Sequence, residues 1–296
     1  MDNQQQTQTW LAQEKFHELD VRYDSEQRAI WCYVWPTSRP SCTPELLSEI
    51  LHLLQLIEER VGHGAQNNKQ DAPRYLIIAS RMPGVFSLGG DLALFLKLIR
   101  SGNRDELYQY AKLSIDIAYA SYYLPITTIA LVQGDAFGGG FEGALASQVL
   151  IAERQARMGL PDVLFNFLPV CAYSLLARRL NPAEAERLIL SGRTYAAAEL
   201  YDMGVVDMLA ENGHGEEAVR AYMKKQNRAN NTYQAMHKVR RAHQPMNYDE
   251  LAQIAEIWVD TALQLNERDL RIMERLAQSQ EKLVVLRPSA EVKQLA

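Results

Sequence analysis

Apolar and polar positions divide the chain into a first part where short apolar runs alternate with helical patterns and a later part that is mostly helical. Residues 19–23 and Ala29–Val34 suit strands. A helix follows, with Thr43 as its cap, Pro44 at its first position, and an apolar stripe of Leu46, Leu47, Ile50, Leu51, Leu53, Leu54 and Ile57. Residues 62–72 read as a loop. The runs at 75–79, 129–132 and 149–152 are continuously apolar and of strand length, which suits strands buried on both faces. Helical patterns at 92–99 and 106–120 lie between them, so the spacing predicts an α/β fold with parallel pairing. After about residue 172 the strand-like runs nearly vanish. Helical segments are expected at 185–190, 196–203, 216–225 and 251–280.

Composition narrows the picture. The 296 residues, 47% of them apolar, suffice for a sizeable core. No stretch of about 18 uncharged apolar residues occurs, and the N-terminal sequence lacks the basic start and apolar core of a secretion signal. A cytoplasmic protein with no membrane association is the expectation, with residues 1–13 as a frayed terminus. Cys32, Cys42 and Cys171 have irregular spacing that fits neither a disulfide framework nor a zinc knuckle, and the six histidines show no metal-binding pattern. A formal charge of −5 argues against nucleic acid as a partner. Lys224, Lys225, Lys238, Arg240 and Arg241 form a modest basic group, either a solvated helix face or a docking patch for an acidic carrier domain.

The candidate chemistry sits in two glycine-bearing turns, each directly after an expected strand. One is Phe86-Ser87-Leu88-Gly89-Gly90-Asp91, and the other runs from Gln133-Gly134-Asp135 through Gly138-Gly139-Gly140 to Glu142. Glycine lets the backbone approach a ligand and present amide N–H groups to an oxyanion. Alone, a glycine turn of this kind reads more simply as a tight packing point, and the spacing matches neither a dinucleotide-binding loop nor a P-loop. Asp91 and Asp135 read as capping or turn residues.

The order of these two turns, with the downstream segment from Arg193 to Asp207, resembles the crotonase (enoyl-CoA hydratase/isomerase) superfamily over roughly residues 20 to 215. That resemblance implies a ββα spiral at 14–215, followed by a helical C-terminal region at 216–296 serving oligomerisation, as homotrimer or hexamer, and closure of an acyl pocket. The wording of Ile129 to Asp135, the run Met158-Gly159-Leu160-Pro161 and the tail around Trp258 is most similar to bacterial diffusible-signal-factor synthases. Such enzymes, the resemblance implies, dehydrate a 3-hydroxyacyl group on acyl carrier protein to a cis-2-enoyl thioester and hydrolyse it to a free fatty acid signal. No metal or redox cofactor is implied, the substrate being carried on carrier-protein phosphopantetheine or coenzyme A.

Carried over by position, Gly90 and Gly139 match the oxyanion-hole residues and Glu142 the first catalytic carboxylate, the principal base. Asp162 stands where the resemblance places a second carboxylate, a Glu. One carboxylate would remove the proton α to the carbonyl while the other protonates the departing hydroxyl. The Asp stem is one methylene shorter, and a misplacement near 1 Å can cost about 10²-fold in rate. Pro169 leads into Val170-Cys171-Ala172 where the family has glycines, so the loop either takes a new shape or loses its backbone contact. Cys171 reads as a small buried thiol, with no His near it in the chain to activate it. Trp258 is expected in the core or as a wall of the acyl pocket. Two other readings remain open: an enoyl-thioester isomerase or decarboxylase, and a degenerate protein that binds an acyl thioester or a regulatory partner without turnover.

Overall fold

The computed structural model describes residues 10–63 and 72–283. A six-stranded sheet forms the spine, in the order β1 (Leu19–Asp24), β2 (Ala29–Val34), β3 (Tyr75–Ser80), β5 (Thr127–Val132), β7 (Val149–Glu153) and β10 (Met208–Ala210). Only the β1–β2 pair is antiparallel; every later neighbour is parallel. A second, four-stranded sheet joins β4 (Val85–Ser87), β6 (Asp135–Phe137), β8 (Arg157–Gly159) and β9 (Thr194–Ala196). These three-residue strands fall below the length at which alternation is readable, and the sequence pattern does not announce them.

The continuous apolar strands follow from burial on both faces. Along β2, Ile30, Cys32 and Val34 face the main core, while Ala29, Trp31 and Tyr33 face a smaller cluster. That second face is covered by α8 (Gly215–Arg228), through Val219 and Met223. The main core is roofed by α1 (Pro44–Ile57), α2 (Leu92–Arg100) and α3 (Arg104–Tyr123). Thr43 caps α1 as expected, its Oγ1 accepting from the Leu46 N–H at 3.2 Å, and the helix then runs into a π-helical turn at Glu58–His63. The remainder of the expected loop at 62–72 lies largely outside the described residues. So do residues 1–9 of the expected frayed terminus; of its remaining residues, Trp10 and Leu11 are buried in the core.

Short helices α4 (Gly139–Leu145), α5 (Ala172–Leu176), α6 (Pro182–Ser191) and α7 (Ala197–Asp202) fill the spiral's second half, and α9 (Asn230–His243) leads away from α8. The expected helix at 251–280 is two helices, α10 (Tyr248–Leu263) and α11 (Glu267–Glu281). Asn266 causes the break. Its Oδ1 accepts from the Arg268 and Asp269 N–H groups, and the Asp269 carboxylate accepts in return from the Asn266 N–H at 3.2 Å, a reciprocal cap. The break folds the tail back, so α10 packs on α3 and α11 on α2. Among the described residues no helix is long and apolar enough to cross a membrane.

Replacing Asn266 with Ala separates the two architectures. A cap lost between two helices costs about 0.5–2 kcal/mol, whereas the same change inside one continuous helix is stabilising, because Ala is the better helix former. A lower urea midpoint is expected; a higher one would reject the capped break.

Candidate active site

Four stretches of chain meet at the C-terminal edge of the second sheet. Pairing of β4 with β6 brings the 89–90 turn beside the 138–139 turn. Pairing of Phe137 with Gly159 in β6 and β8 delivers Asp162, three residues past the end of β8, to the same place. Residues 40–42 complete the corner: the Leu88 N–H donates to Pro40 O and the Cys42 N–H to Gly89 O, both at 2.7 Å. Tyr110 of α3 pins this corner, its hydroxyl donating to Cys42 O at 2.6 Å and accepting from the Asp91 N–H at 3.4 Å.

Gly138 makes the turn into α4 with φ +47°, a conformation that glycine adopts without strain. A Cβ there would sit 3.3 Å from both carboxylate oxygens of Asp162, so that side chain lies directly over the turn. A Cβ on Gly139 would lie 3.6 Å from the Gly90 nitrogen, 3.7 Å from Cys42 Sγ and 3.8 Å from Glu142 Oε2. Gly90, Gly139, Glu142 and Asp162, expected at one site from the sequence, are thus together. Gly139 opens a helix, where its N–H has no intrahelical acceptor, and neither it nor the Gly90 N–H enters a loop or turn hydrogen bond among the described residues. Two amide donors therefore border the Gly139 face.

The rewritten turn after Pro169 has not withdrawn its backbone. The Cys171 N–H donates to Glu142 Oε1, and the amides of Ala172 and Val170 also favour its charged form. Those donors work against two larger effects. Burial first, and the neighbouring Asp162 carboxylate second, push the Glu142 carboxyl up to about 8. Burial also lifts Asp162 to about 6, and its Oδ2 is shut from solvent with no hydrogen-bond partner. Two carboxyls so placed share one proton near neutrality and titrate as a pair.

The surrounding cleft encloses about 610 Å³ including its open mouth. Its walls are apolar. Trp258, on α10, is buried in one of them, with ring centroids 4.9 Å from Phe167 and 5.2 Å from Phe95. The C-terminal tail thus contributes a wall of the cleft. The Cys171 thiol is buried and pushed well above its ordinary value by desolvation, consistent with an inert side chain whose backbone is the useful part. Asp91 caps α2, accepting from the Leu94 N–H at 3.1 Å, and pairs with Arg39 at 2.6 Å; Asp135 pairs with Arg157 at 2.7 Å. Among the described residues no group of three or more His, Cys, Asp or Glu is placed to hold a metal.

Sequence reasoning did not single out Cys42, Tyr110, Phe95 or Phe167. Cys42 precedes the capping Thr43 and carried no motif. Its thiol lies 3.6 Å from Ser87 Oγ, and burial raises it to about 11. The aromatic residues lie on ordinary helical or loop patterns, with nothing in their spacing to mark a cleft.

A doubled-sheet ββα spiral with paired carboxylates facing paired glycine amides defines a crotonase-fold protein. The enoyl-CoA hydratase/isomerase family model matches residues 54–283, and the chain belongs to that family. Among curated relatives, mitochondrial methylglutaconyl-CoA hydratase of Rattus norvegicus is 34% identical over 171 residues, 57% of this chain and 52% of that protein. The match thus spans about half of that relative's length. An enoyl-CoA hydratase/isomerase structure from Xanthobacter autotrophicus Py2 superimposes with TM-score 0.73 at 20% identity, covering 90% of this chain and 98% of that one. DspI of Pseudomonas aeruginosa gives 0.67 at 21% identity, over 90% and 97%. At that identity both structures establish the fold alone.

The raised carboxyls make stability depend on pH. Each binds its proton more tightly in the folded chain than in the unfolded one, so its contribution is fully present below the ordinary carboxylate range. It is lost as pH climbs through about 6 for Asp162 and about 8 for Glu142. Glu142→Gln removes the cost of ionising a buried group. Its unfolding free energy, from urea titration, should exceed that of wild type at pH 9 by on the order of a few kcal/mol and approach it near pH 4. Equal free energies at both pH values would show that Glu142 is not desolvated.

Proposed function

We propose that this chain dehydrates a 3-hydroxyacyl thioester, carried on acyl carrier protein, to a cis-2-enoyl thioester and hydrolyses it to the free acid, as in diffusible-signal-factor synthesis. The observation that carries the thioester reading is the convergence of the Gly90 nitrogen and Glu142 Oε2 on the Gly139 face, with the Asp162 carboxylate over the adjoining turn. The signal-synthase reading draws on the wording of the motifs around 129–135 and 158–161 and on Trp258 in the cleft wall.

In this scheme the thioester carbonyl oxygen accepts from the Gly90 and Gly139 N–H groups. That stabilises the enolate formed when the ionised carboxylate removes the α proton. The protonated partner gives its proton to the 3-hydroxyl, which departs as water. Hydrolysis reuses the same amides: water adds to the carbonyl carbon, and the carrier thiol leaves with a proton. No metal or redox cofactor is required.

A bell-shaped rate profile follows from the pair. Below about 6 both carboxyls are protonated and no base remains; above about 8 both are ionised and no acid remains. Burial and the neighbouring Asp162 carboxylate favour the proton on Glu142, so Glu142 serves as principal base when Asp162 carries the proton.

Catalysis by one well-placed carboxylate, as an enoyl-thioester isomerase or a decarboxylase, is a second reading that the short Asp162 stem favours. A third, the shape of a binding or regulatory protein without turnover, rests on Asp162 and the rewritten turn. We extend the leading reading to a homotrimeric or hexameric assembly and to a carrier protein whose acidic surface meets exposed Lys224, Lys225 and Lys238.

Mass spectrometry of products from 3-hydroxydodecanoyl carrier protein tests these readings. Wild type should release an unsaturated fatty acid, Glu142→Gln should lose about 10²–10⁴-fold, and Asp162→Glu should be faster than wild type. Unchanged substrate with folded protein would reject the dehydratase; malonyl and enoyl thioesters then discriminate the second reading from the third. The profile of kcat/KM should flank pH 6 and 8, and a profile flat across that window would remove the shared-proton scheme.

A further inference from the structure

Beyond the C-terminal end of α4 lies a second cleft, about 850 Å³ including its mouth, whose walls include Ser147, Arg178, Arg179, His237, Arg240 and Arg241. Ala146 and Leu175 line both this cleft and the catalytic one, so a single layer of side chains separates them. An α-helix rises about 1.5 Å per residue, which puts Ala146 about 10 Å along α4 from Gly139.

The second cleft is charged on one side of the ledger. Four arginines line it with one carboxylate, Asp207, which Arg179 already holds at 3.0 Å. Arg178, Arg240 and Arg241 make no ion pair among the described residues. Backbone carbonyls fix two of them: Arg178 donates to Ser174 O at 2.6 Å and Pro245 O at 2.9 Å, and Arg241 to Leu124 O at 2.7 Å. Their positions are set before any ligand arrives. Ser147 is 3% exposed and His237 9%, and Ser147 Oγ, His237 Nε2 and Arg178 Nε all lack a hydrogen-bond partner. A buried polar group without a partner costs about 1–3 kcal/mol. Arg178 Nε–H can only donate and the Ser147 hydroxyl can donate, so at least these two, beside one cationic cleft, point to a missing acceptor. His237 registers the same field: burial first, then Arg240 and Arg241, push it down to about 4.

We propose that this second cleft binds an oxyanion, a carboxylate or phosphate group, held by Arg178, Arg240 and Arg241 with the Ser147 hydroxyl as a further donor. Planar guanidinium forks match both anions and form the stronger, charge-assisted class of hydrogen bond. The group has two available sources. One is a free small anion from solvent. The other is the far end of an acyl chain lying along α4 from the catalytic cleft, which would make the substrate a thioester with an anionic tail. Only this second source rests on the proposed function.

Calorimetric titration of the full chain with inorganic phosphate, dodecanoate and dodecanedioate tests the site without turnover, so the inactive Glu142→Gln protein serves as well as wild type. Saturable phosphate binding with no preference for the diacid identifies the free anion. Dodecanedioate binding about tenfold tighter than dodecanoate identifies the acyl tail. In either case Arg240→Ala and Ser147→Ala, neither in the catalytic cleft, should each weaken the effect about tenfold, while Arg154→Ala, an exposed arginine paired with Glu211, should leave it unchanged. The proposal is overturned if neither phosphate binding nor a diacid preference occurs, or if both survive Arg240→Ala and Ser147→Ala intact. It is equally overturned if anions fail to bind and sedimentation shows a second copy of the chain seated through Arg240.

Discussion

A half-buried, desolvated carboxyl beside another carboxyl is the constraint on which the site depends. Glu142 has little water to solvate its charge and an acidic neighbour to oppose it, and it is held by amides of the turn at 170–172. Those amides limit, without abolishing, the preference for the protonated form. The fold supplies them through the second sheet, which sets the 89–90 and 138–139 turns and Asp162 side by side, and through the turn that leads into α5, whose amides are the donors. Elements too short to be stable alone hold the chemistry, and the long parallel sheet holds them.

Much of the fold was legible because the spine is buried on both faces. Strands such as 75–79 and 149–152 must be apolar at every position when helices cover both sides, and such runs are visible without a structure. Gly90, Gly139 and Glu142 were legible for a different reason: glycine clusters after strands are conspicuous, and the resemblance of their order to a known family, not the glycines alone, singled these residues out. The short strands of the second sheet gave no periodic signal. The break at 264–266 was hidden inside a pattern that is amphipathic on both sides of it, and only Asn266 with Asp269 three positions on marked the cap.

After Pro169 the absence of glycine left two outcomes open, a reshaped loop or a lost backbone contact with the thioester. The amides of Val170, Cys171 and Ala172 are turned to the Glu142 carboxylate, a contact that any residue's N–H can make. Conversely, the arginine cleft was half visible. Arg240 and Arg241 stood out as a basic group, but the sequence could not say that Arg178, Ser147 and His237 would converge on them from other elements.

Trp258 gives the helical tail a role in acidity. It contributes no atom to the proton pair, yet its ring, with Phe95 and Phe167, walls the cleft in which Glu142 lies. The proton affinity of Glu142 is set mainly by how little water reaches it. Any sequence change that tilts α10 away would admit solvent, lower that affinity and shift the working pH of the cleft without altering a single polar side chain. The tail is therefore a dielectric tuner, and drift in its packing residues is a route by which related chains can acquire different pH ranges on one unchanged set of carboxylates.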